Sequence, residues 1–170
     1  RLHVVTSSIV AGATGRLGAR IIRRAIELNV TVAGALVRSR SASMGQPVPG
    51  QDGLHYTDVI EGLGPETVFV EVATKDHART RLKTATAQGA PLIVATTGFS
   101  AAETAEIEAL GEKVPVLIAA NLSPGVAILE DLVRQASEAL PDYHLELVEL
   151  HHAEKRDAPS GTAWSLARAA

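Results

Sequence analysis

The stretch Ile9-Val10-Ala11-Gly12-Ala13-Thr14-Gly15-Arg16-Leu17-Gly18 joins an apolar run to a glycine-rich turn. Apolar residues then recur at helical spacing, which predicts a helix over residues 19–26. A strand, a turn of the form Gly-x-x-Gly-x-x-Gly and a helix are the context that a dinucleotide-binding fingerprint requires. The stretch therefore predicts an α/β fold built on a doubly wound parallel sheet of the Rossmann type.

The glycines of this turn have separate expected roles. Gly12 permits the tight turn, Gly15 lets the backbone approach a pyrophosphate, and Gly18 lets the helix pack closely on the strand. The alternative is a glycine-rich connection between a strand and a helix that binds nothing. Other residues of the chain are needed to distinguish these two interpretations.

The end of the second predicted strand, residues 31–37, indicates which nucleotide the fold prefers. In NAD-specific sites an acidic residue near this position holds the ribose 2′-hydroxyl. Here the chain reads Val37-Arg38-Ser39-Arg40-Ser41, which contains no acid. Two arginines and two serines suit a 2′-phosphate, so we expect a preference for NADPH. The alternative is that Arg38 and Arg40 are ordinary surface residues.

Hydrophobic periodicity and turn residues predict the remaining elements. We expect the other strands at residues 3–11, 67–73, 91–95, 114–119 and 143–150. The polar start of the first one suggests that it is confined to about residues 8–11. Further helices are expected at residues 58–63, 75–88, 101–110 and 126–140, with a last one starting near residue 162, and residues 43–54 are expected to form a surface loop.

Composition restricts the classes of function. Hydrophobic residues make up 46% of the chain and charged residues 21%, as in ordinary globular proteins. The net charge of −3, without a large basic block, argues against a nucleic-acid partner. The absence of cysteine excludes disulfides, thiolate catalysis and cysteine-ligated zinc. No apolar run approaches the roughly 20 residues of a membrane span and no signal-peptide pattern is present, so we expect a cytoplasmic protein without a membrane partner.

A second group of chemically active residues follows the strand predicted at residues 143–150. It reads His151-His152-Ala153-Glu154-Lys155-Arg156-Asp157-Ala158-Pro159-Ser160-Gly161-Thr162-Ala163. A histidine can act as a general acid near neutral pH, and a nearby lysine can stabilise a developing anion. Ser160-Gly161-Thr162 predicts a helix N-terminus, which binds carboxylates or phosphates. The alternative is a solvated, charged loop, and a metal site is not expected because neighbouring strand residues face opposite sides.

Read from Glu149, this segment closely resembles the signature of the 4-hydroxy-tetrahydrodipicolinate reductase (dihydrodipicolinate reductase) family. The family pattern Glu-x-His-His-x-x-Lys-x-Asp-Ala-Pro-Ser-Gly-Thr-Ala is matched at every fixed position. The segment Ala95-Thr96-Thr97-Gly98-Phe99 is similar to another family motif, with alanine in place of glycine. Asn121-Leu122-Ser123-Pro124-Gly125-Val126 is similar to a further one, with leucine in place of an aromatic residue. The chain departs from the family at Val70-Glu71-Val72-Ala73-Thr74, where Asp-Phe-Thr is usual.

The resemblance implies an NAD(P)H-dependent oxidoreductase that reduces the imine of a cyclic dicarboxylate in the diaminopimelate and lysine pathway. It implies that His151 donates a proton, that Lys155 stabilises charge, and that the substrate is held by His152, Ser160, Gly161, Thr162 and Thr97. Many members use both NADPH and NADH. The cofactor-binding positions would be Gly12, Thr14, Gly15, Arg16, Leu17, Arg38, Ala73, Thr74, Ala95, Thr96, Ala119, Ala120 and Leu122.

The resemblance also implies a domain organisation. A dinucleotide-binding domain would span residues 1–123, and residues 124–170 would begin an α+β domain for substrate binding and oligomerisation. The rest of that second domain is expected to be missing from this chain. Members of the family usually form homotetramers.

Other functions remain open from the sequence. Short-chain dehydrogenases also contain Gly-Ala-Thr-Gly-Arg-Leu-Gly, but their Tyr-x-x-x-Lys signature is absent, since Tyr56 and Tyr143 are followed by Ile60 and Leu147. A related reductase recruited to another cyclic imine would explain the departures at residues 71–73 and 122. A non-catalytic, NADP-sensing module would bind NADPH without oxidising it.

Overall fold

The computed structural model describes residues 6–153 and 158–170 of the chain. The chain divides into two compact units, Arg1–Ile118 and Ala119–Ala170, which are described separately. Within the described ranges, no helix combines the length and the apolar character that crossing a membrane requires.

The first unit contains a six-stranded parallel sheet with the order β3-β2-β1-β4-β5-β6. Its strands are β1 (Ser7–Ala11), β2 (Thr31–Leu36), β3 (Tyr56–Thr57), β4 (Thr67–Glu71), β5 (Leu92–Val94) and β6 (Val116–Ile118). Its helices are α1 (Arg16–Glu27), α2 (Ala78–Ala87) and α3 (Ala101–Glu108), the last followed by a 3₁₀ turn at Ala109–Glu112. This arrangement confirms the predicted doubly wound sheet of the Rossmann type.

The core lies on both faces of the central strands, as expected for a parallel sheet with helices on each side. Ile9 and Phe69 point to one face, where they join a buried cluster with Leu82 of α2 and Ile107 of α3. Val10 and Val70 point to the other face, in the cluster that contains Ile22 of α1. The polar start of β1 is accommodated by a 2.8 Å hydrogen bond between the hydroxyls of Ser7 and Thr67.

The helix predicted at residues 58–63 is wrong, because these residues form no helix. A segment this short gains too few hydrogen bonds to offset the cost of nucleating a helix. Two local features favour an irregular path: Gly62 adopts φ +69°, and the Val59 N–H donates to Thr57 Oγ1 at 3.1 Å. The short strand β3, which precedes this segment, was not predicted.

The helix predicted from residue 75 begins only at Ala78. His77 lies in the left-handed region with φ +63°, and this conformation interrupts a right-handed helix. Residues 72–77 therefore form a loop between β4 and α2.

The second unit contains helix α4 (Pro124–Ala139) and helix α5 (Gly161–Ala169), which pack against each other. The strand predicted at residues 143–150 is wrong for the described part of this unit, where no strand is assigned. The alternation of apolar and polar residues is present, but a strand also needs a hydrogen-bonded neighbour. Val148 and Leu150 are accordingly 82% and 92% exposed.

Candidate functional site

A cleft opens beside the glycine-rich turn, where β1 and β4 are neighbours although other elements separate them in the chain. Its volume is about 360 Å³. In open α/β sheets, ligands bind at this reversal of strand order. The lining includes Gly12, Thr14, Gly15, Arg38, Ala73 and Thr74 from the predicted cofactor set, together with Ala11, Leu36, Val37, Ser41, Val72, Asp76, His77 and Arg81.

The turn leaves no room for a Cβ atom at Gly12 or Gly18. A Cβ atom on Gly12 would lie 2.8 Å from both Cα and N of Ala73, and Gly12 has φ +87°. A Cβ atom on Gly18 would overlap the carbonyl oxygen of Gly12. The close approach of these backbones explains why glycine is required at both positions.

The start of α1 is suited to an anion. Its N-cap residue, Gly15, provides no side-chain hydrogen bond, and its first turn contains no acidic residue. The first N–H groups of α1, which belong to the predicted cofactor residues Arg16 and Leu17, thus have no side-chain cap. Such a helix end can bind a pyrophosphate through these groups and the helix dipole.

The end of β2 adds positive charge to the cleft. Arg38 lines both the main cleft and an adjoining one of about 640 Å³. Ser39 and Arg40 line only the adjoining cleft, whereas Ser41 lines only the main one. The arginines and serines singled out from the sequence therefore surround one region of the surface, which can receive a phosphate.

The segment after β5 is anchored to the loop after β4. Thr96 is buried, and its hydroxyl donates to the carbonyl oxygen of Ala73 at 2.9 Å. Thr97 is exposed. Helix α3 is capped by Ser100 and Glu103, which bond reciprocally to each other's backbone N–H.

An ion pair at the cleft was not predicted from the sequence. Glu71 is completely buried at the end of β4, and Arg81 of α2 donates to its carboxylate through Nε at 2.7 Å and Nη2 at 2.9 Å. From the sequence, Glu71 is only a departure from a family motif. An acid inside an otherwise apolar strand was a signal that a partner had to exist, because a buried carboxylate requires one.

In the second unit, the carboxylate of Glu149 connects two parts of the signature segment. His151 Nε2 lies 2.8 Å from Glu149 Oε2, and the Ser160 N–H donates to Glu149 Oε1 at 2.9 Å. Hydrogen bonds from Ser160 and His151 lower the pKa of Glu149 to about 2. The carboxylate is therefore ionised at neutral pH, and His151 Nε2 must be the donor to it.

Helix α5 begins directly after this contact. Ser160 is its N-cap, and its hydroxyl accepts from the Ala163 N–H at 3.0 Å. Among the described residues, none accepts from the N–H groups of Gly161 and Thr162. These two amides can bind an anion such as a carboxylate.

A further contact orders the same helix end. The side-chain amide of Asn121 donates to Thr162 Oγ1 at 2.8 Å, and its oxygen accepts from the Ser123 N–H at 2.8 Å. The predicted cofactor residues Ala119, Ala120 and Leu122 flank Asn121 in the second unit, whereas Ala95 follows β5 in the first.

Two further predicted residues, His152 and Lys155, belong to the signature segment. His152 is exposed, and Lys155 lies outside the described residues. Glu149 belonged to the signature, but sequence analysis assigned it no role. The signal was its position two residues before His151, since alternate residues of an extended segment share a side.

Comparison with known proteins finds matches to both parts of the chain. A family model described as dihydrodipicolinate reductase, N-terminus, matches residues 6–122, and the corresponding C-terminus model matches residues 125–170. The 4-hydroxy-tetrahydrodipicolinate reductase of Rubrobacter xylanophilus is 40% identical over 166 residues, covering 95% of this chain and 62% of that protein. The reductase of the same name from Zymomonas mobilis is 36% identical over 160 residues, covering 94% and 59%.

A solved structure has the same fold. The dipicolinate-bound dihydrodipicolinate reductase from Paenisporosarcina sp. TG-14 superposes with a TM-score of 0.74 at 21% sequence identity, covering 98% of this chain and 65% of that one. The chain thus spans about three fifths of the length of the relatives it matches. The family matches, the relatives and the fold agree, and the chain belongs to the dihydrodipicolinate reductase family.

Proposed function

We propose that this protein is an NAD(P)H-dependent reductase that converts 4-hydroxy-tetrahydrodipicolinate to tetrahydrodipicolinate in the diaminopimelate and lysine pathway. The observation that carries the proposal is the Glu149 carboxylate, which lies 2.8 Å from His151 Nε2 and accepts from the N–H of Ser160, the N-cap of α5, at 2.9 Å. The curated relatives carry the name of this activity, and the solved relative holds a cyclic dicarboxylate.

The first unit fits a nicotinamide dinucleotide. The uncapped start of α1, without acidic residues, suits a pyrophosphate, which Gly12, Thr14, Gly15, Arg16 and Leu17 would hold. Arg38 would bind the adenosine ribose or its 2′-phosphate. Toward the nicotinamide the proposed residues are Ala73, Thr74, Ala95, Thr96, Ala119, Ala120 and Leu122. When bound, the cofactor supplies the hydride.

The second unit supplies the proton and holds the substrate's negative charge. His151 donates the proton, and Glu149 orients its imidazole through the bond to Nε2. The N–H groups of Gly161 and Thr162, with Ser160 and His152, bind the two carboxylates, and Thr97 of the first unit is proposed as a further substrate contact. Lys155 stabilises the charge that develops during reaction. Fixed donors of this kind lower the barrier because they need no reorganisation.

The domain organisation is also proposed. A boundary between residues 123 and 124 is supported by the first family match, which ends at residue 122, and by the compact unit that ends at Ile118. We further propose that the protein is cytoplasmic and that it forms a homotetramer. Light scattering on the purified protein would test the homotetramer.

NADPH absorbance tests the activity directly. The product of dihydrodipicolinate synthase is generated in the cuvette, and the protein is expressed from its complete gene. We expect a rapid loss of NADPH absorbance that requires both the synthase and this protein. NADPH binding without oxidation would contradict the proposal and favour a nucleotide sensor or a reductase recruited to another cyclic imine.

Arg38→Met is expected to weaken NADPH binding roughly 10- to 100-fold while NADH binding changes little. A hydrogen bond between a guanidinium and a phosphate contributes about 1.5–3 kcal/mol, and only NADPH carries the 2′-phosphate. Fluorescence titration with both nucleotides measures the two dissociation constants. Arg23→Met is the control, because Arg23 lies on the exposed side of α1 and pairs only weakly with Glu27, at 4.0 Å. An equal loss for both nucleotides would contradict a phosphate contact.

Glu149→Gln is expected to lower thermal stability at neutral pH, with a difference from wild type that disappears in acid. The pKa of Glu149 is lowered to about 2, so its carboxylate stabilises the fold fully above the unfolded pKa of about 4.3. That stabilisation is lost progressively as the pH falls from there toward 2. Melting temperatures of both proteins across this range provide the test. A difference in melting temperature that does not change with pH would show that the charge of Glu149 does not contribute to stability.

A further inference from the structure

The carboxylate of Glu71 is buried completely at the end of β4, at the edge of the cleft. A buried carboxylate is costly unless charge and hydrogen bonds compensate for it. Here Arg81 binds it bidentately, at 2.7 and 2.9 Å, and the Ala73 N–H donates to the same group at 3.1 Å. The carboxylate therefore joins helix α2 to the first residues of the loop 72–77.

The guanidinium of Arg81 reaches the same loop at its other end. Besides its two bonds to Glu71, it lies 3.4 Å from the carbonyl oxygen of Asp76, through Nη1, and 3.5 Å from that of Thr74, through Nη2. A planar group with several fixed donors can make these contacts together, whereas a lysine ammonium cannot. Arg81 is thus fixed by the chain itself, and only 20% of its side chain is exposed.

The loop 72–77 forms the wall of the cleft opposite the glycine-rich turn. Val72, Ala73, Thr74, Asp76 and His77 all line the cleft. The wall meets the turn where Val72 and Ala73 lie against Gly12. Thr96 holds the Ala73 carbonyl from the side of β5. Glu71 and Arg81 contact the backbone of the same loop at Ala73, Thr74 and Asp76.

We propose that the Glu71–Arg81 ion pair is a positioning element of the nucleotide cleft, which sets the distance between the loop 72–77 and the glycine-rich turn. The inference rests on the proposed function, because it takes the occupant of the cleft to be a nicotinamide dinucleotide. Since Glu71 neutralises the charge of Arg81, the pair acts through the shape of the cleft. Its loss therefore affects NADPH and NADH by the same factor, unlike the loss of Arg38.

Arg81→Lys tests the proposal, because it keeps a cation beside Glu71 but removes the contacts to the loop. We expect both dissociation constants to rise about tenfold, which corresponds to the loss of one charge-assisted hydrogen bond. Arg79→Lys is the matched control on the same helix, where Arg79 forms exposed ion pairs with Glu103 and Glu106. This control should leave both dissociation constants unchanged. Direct titration and melting temperatures are measured for each protein.

The double variant Glu71→Gln/Arg81→Met covers the case in which Arg81→Lys does not fold, because it leaves no buried charge without a partner. It should weaken the binding of both nucleotides equally. A lower melting temperature with unchanged binding would make the pair merely structural and overturn the proposal. A loss confined to NADPH would also overturn it, by making Arg81 a phosphate contact. If the wild-type protein bound neither nucleotide, the proposed function itself would fail.

Discussion

Replacing His151 with glutamine is expected to lower turnover by a factor of about 10²–10⁴, the usual contribution of a general acid. Glutamine can still donate a hydrogen bond to Glu149, as His151 Nε2 does at 2.8 Å. It cannot release a proton to a substrate. The variant therefore separates the orientation of the side chain from its acid–base chemistry, and steady-state turnover at saturating NADPH measures the difference.

The NADPH dissociation constant of His151→Gln should equal that of the wild type, since the glycine-rich turn belongs to the other unit of the chain. His144→Gln is the control, because His144 is an exposed histidine of the preceding segment. Near-normal turnover in His151→Gln would exclude His151 as the proton donor. Lys155 would then be the next residue to replace.

Gly12→Ala is expected to destabilise the protein by about 2–5 kcal/mol and to abolish measurable nucleotide binding. Alanine at the φ of +87° found here costs roughly 1–2 kcal/mol. The new methyl group would lie 2.8 Å from backbone atoms of Ala73, and overpacking of this kind costs about 1–3 kcal/mol more. The turn and the facing loop must separate to relieve the contact, which distorts the cleft. Denaturant unfolding and NADPH titration measure the two effects.

Gly53→Ala isolates the contribution of this contact. Gly53 has φ +76°, similar to that of Gly12, but nothing lies within 4 Å of the position of its Cβ atom. The Gly53→Ala variant should lose only the roughly 1–2 kcal/mol of folding stability that the backbone conformation costs, and it should bind NADPH normally. Equal losses of stability in the two variants would show that the contact with Ala73 is unimportant.

The features that could be predicted from the sequence are those determined by nearby residues. The glycine-rich turn and α1 follow from glycine spacing and helical periodicity within one short stretch. The strand expected at residues 143–150 fails because a strand also depends on a partner, which periodicity does not supply. The helix expected at residues 58–63 fails because Gly62 takes a left-handed conformation.

The contacts within the candidate sites were harder to predict, because they join residues that only the fold brings together. Glu71 and Arg81 are 10 residues apart, and the fold brings them together only through the path from β4 to α2. Glu149 and Ser160 are 11 residues apart, and their contact forms only in the folded unit. Glu149 and Ser160 both belong to the signature recognised in the sequence, but the contact between them depends on tertiary structure.

The position of Arg38 has a consequence for how this protein can change. The turn that carries it is closed by its own hydrogen bond, from the Ser41 N–H to the Arg38 carbonyl at 2.8 Å, and Arg38, Ser39 and Arg40 are exposed. The contact between Gly12 and Ala73, by contrast, is made by two backbones and tolerates no added atom. In the proposed nucleotide site, evolution or design could therefore exchange one nicotinamide nucleotide for the other by surface substitutions in the Arg38–Ser41 turn, without rebuilding the contact between Gly12 and Ala73.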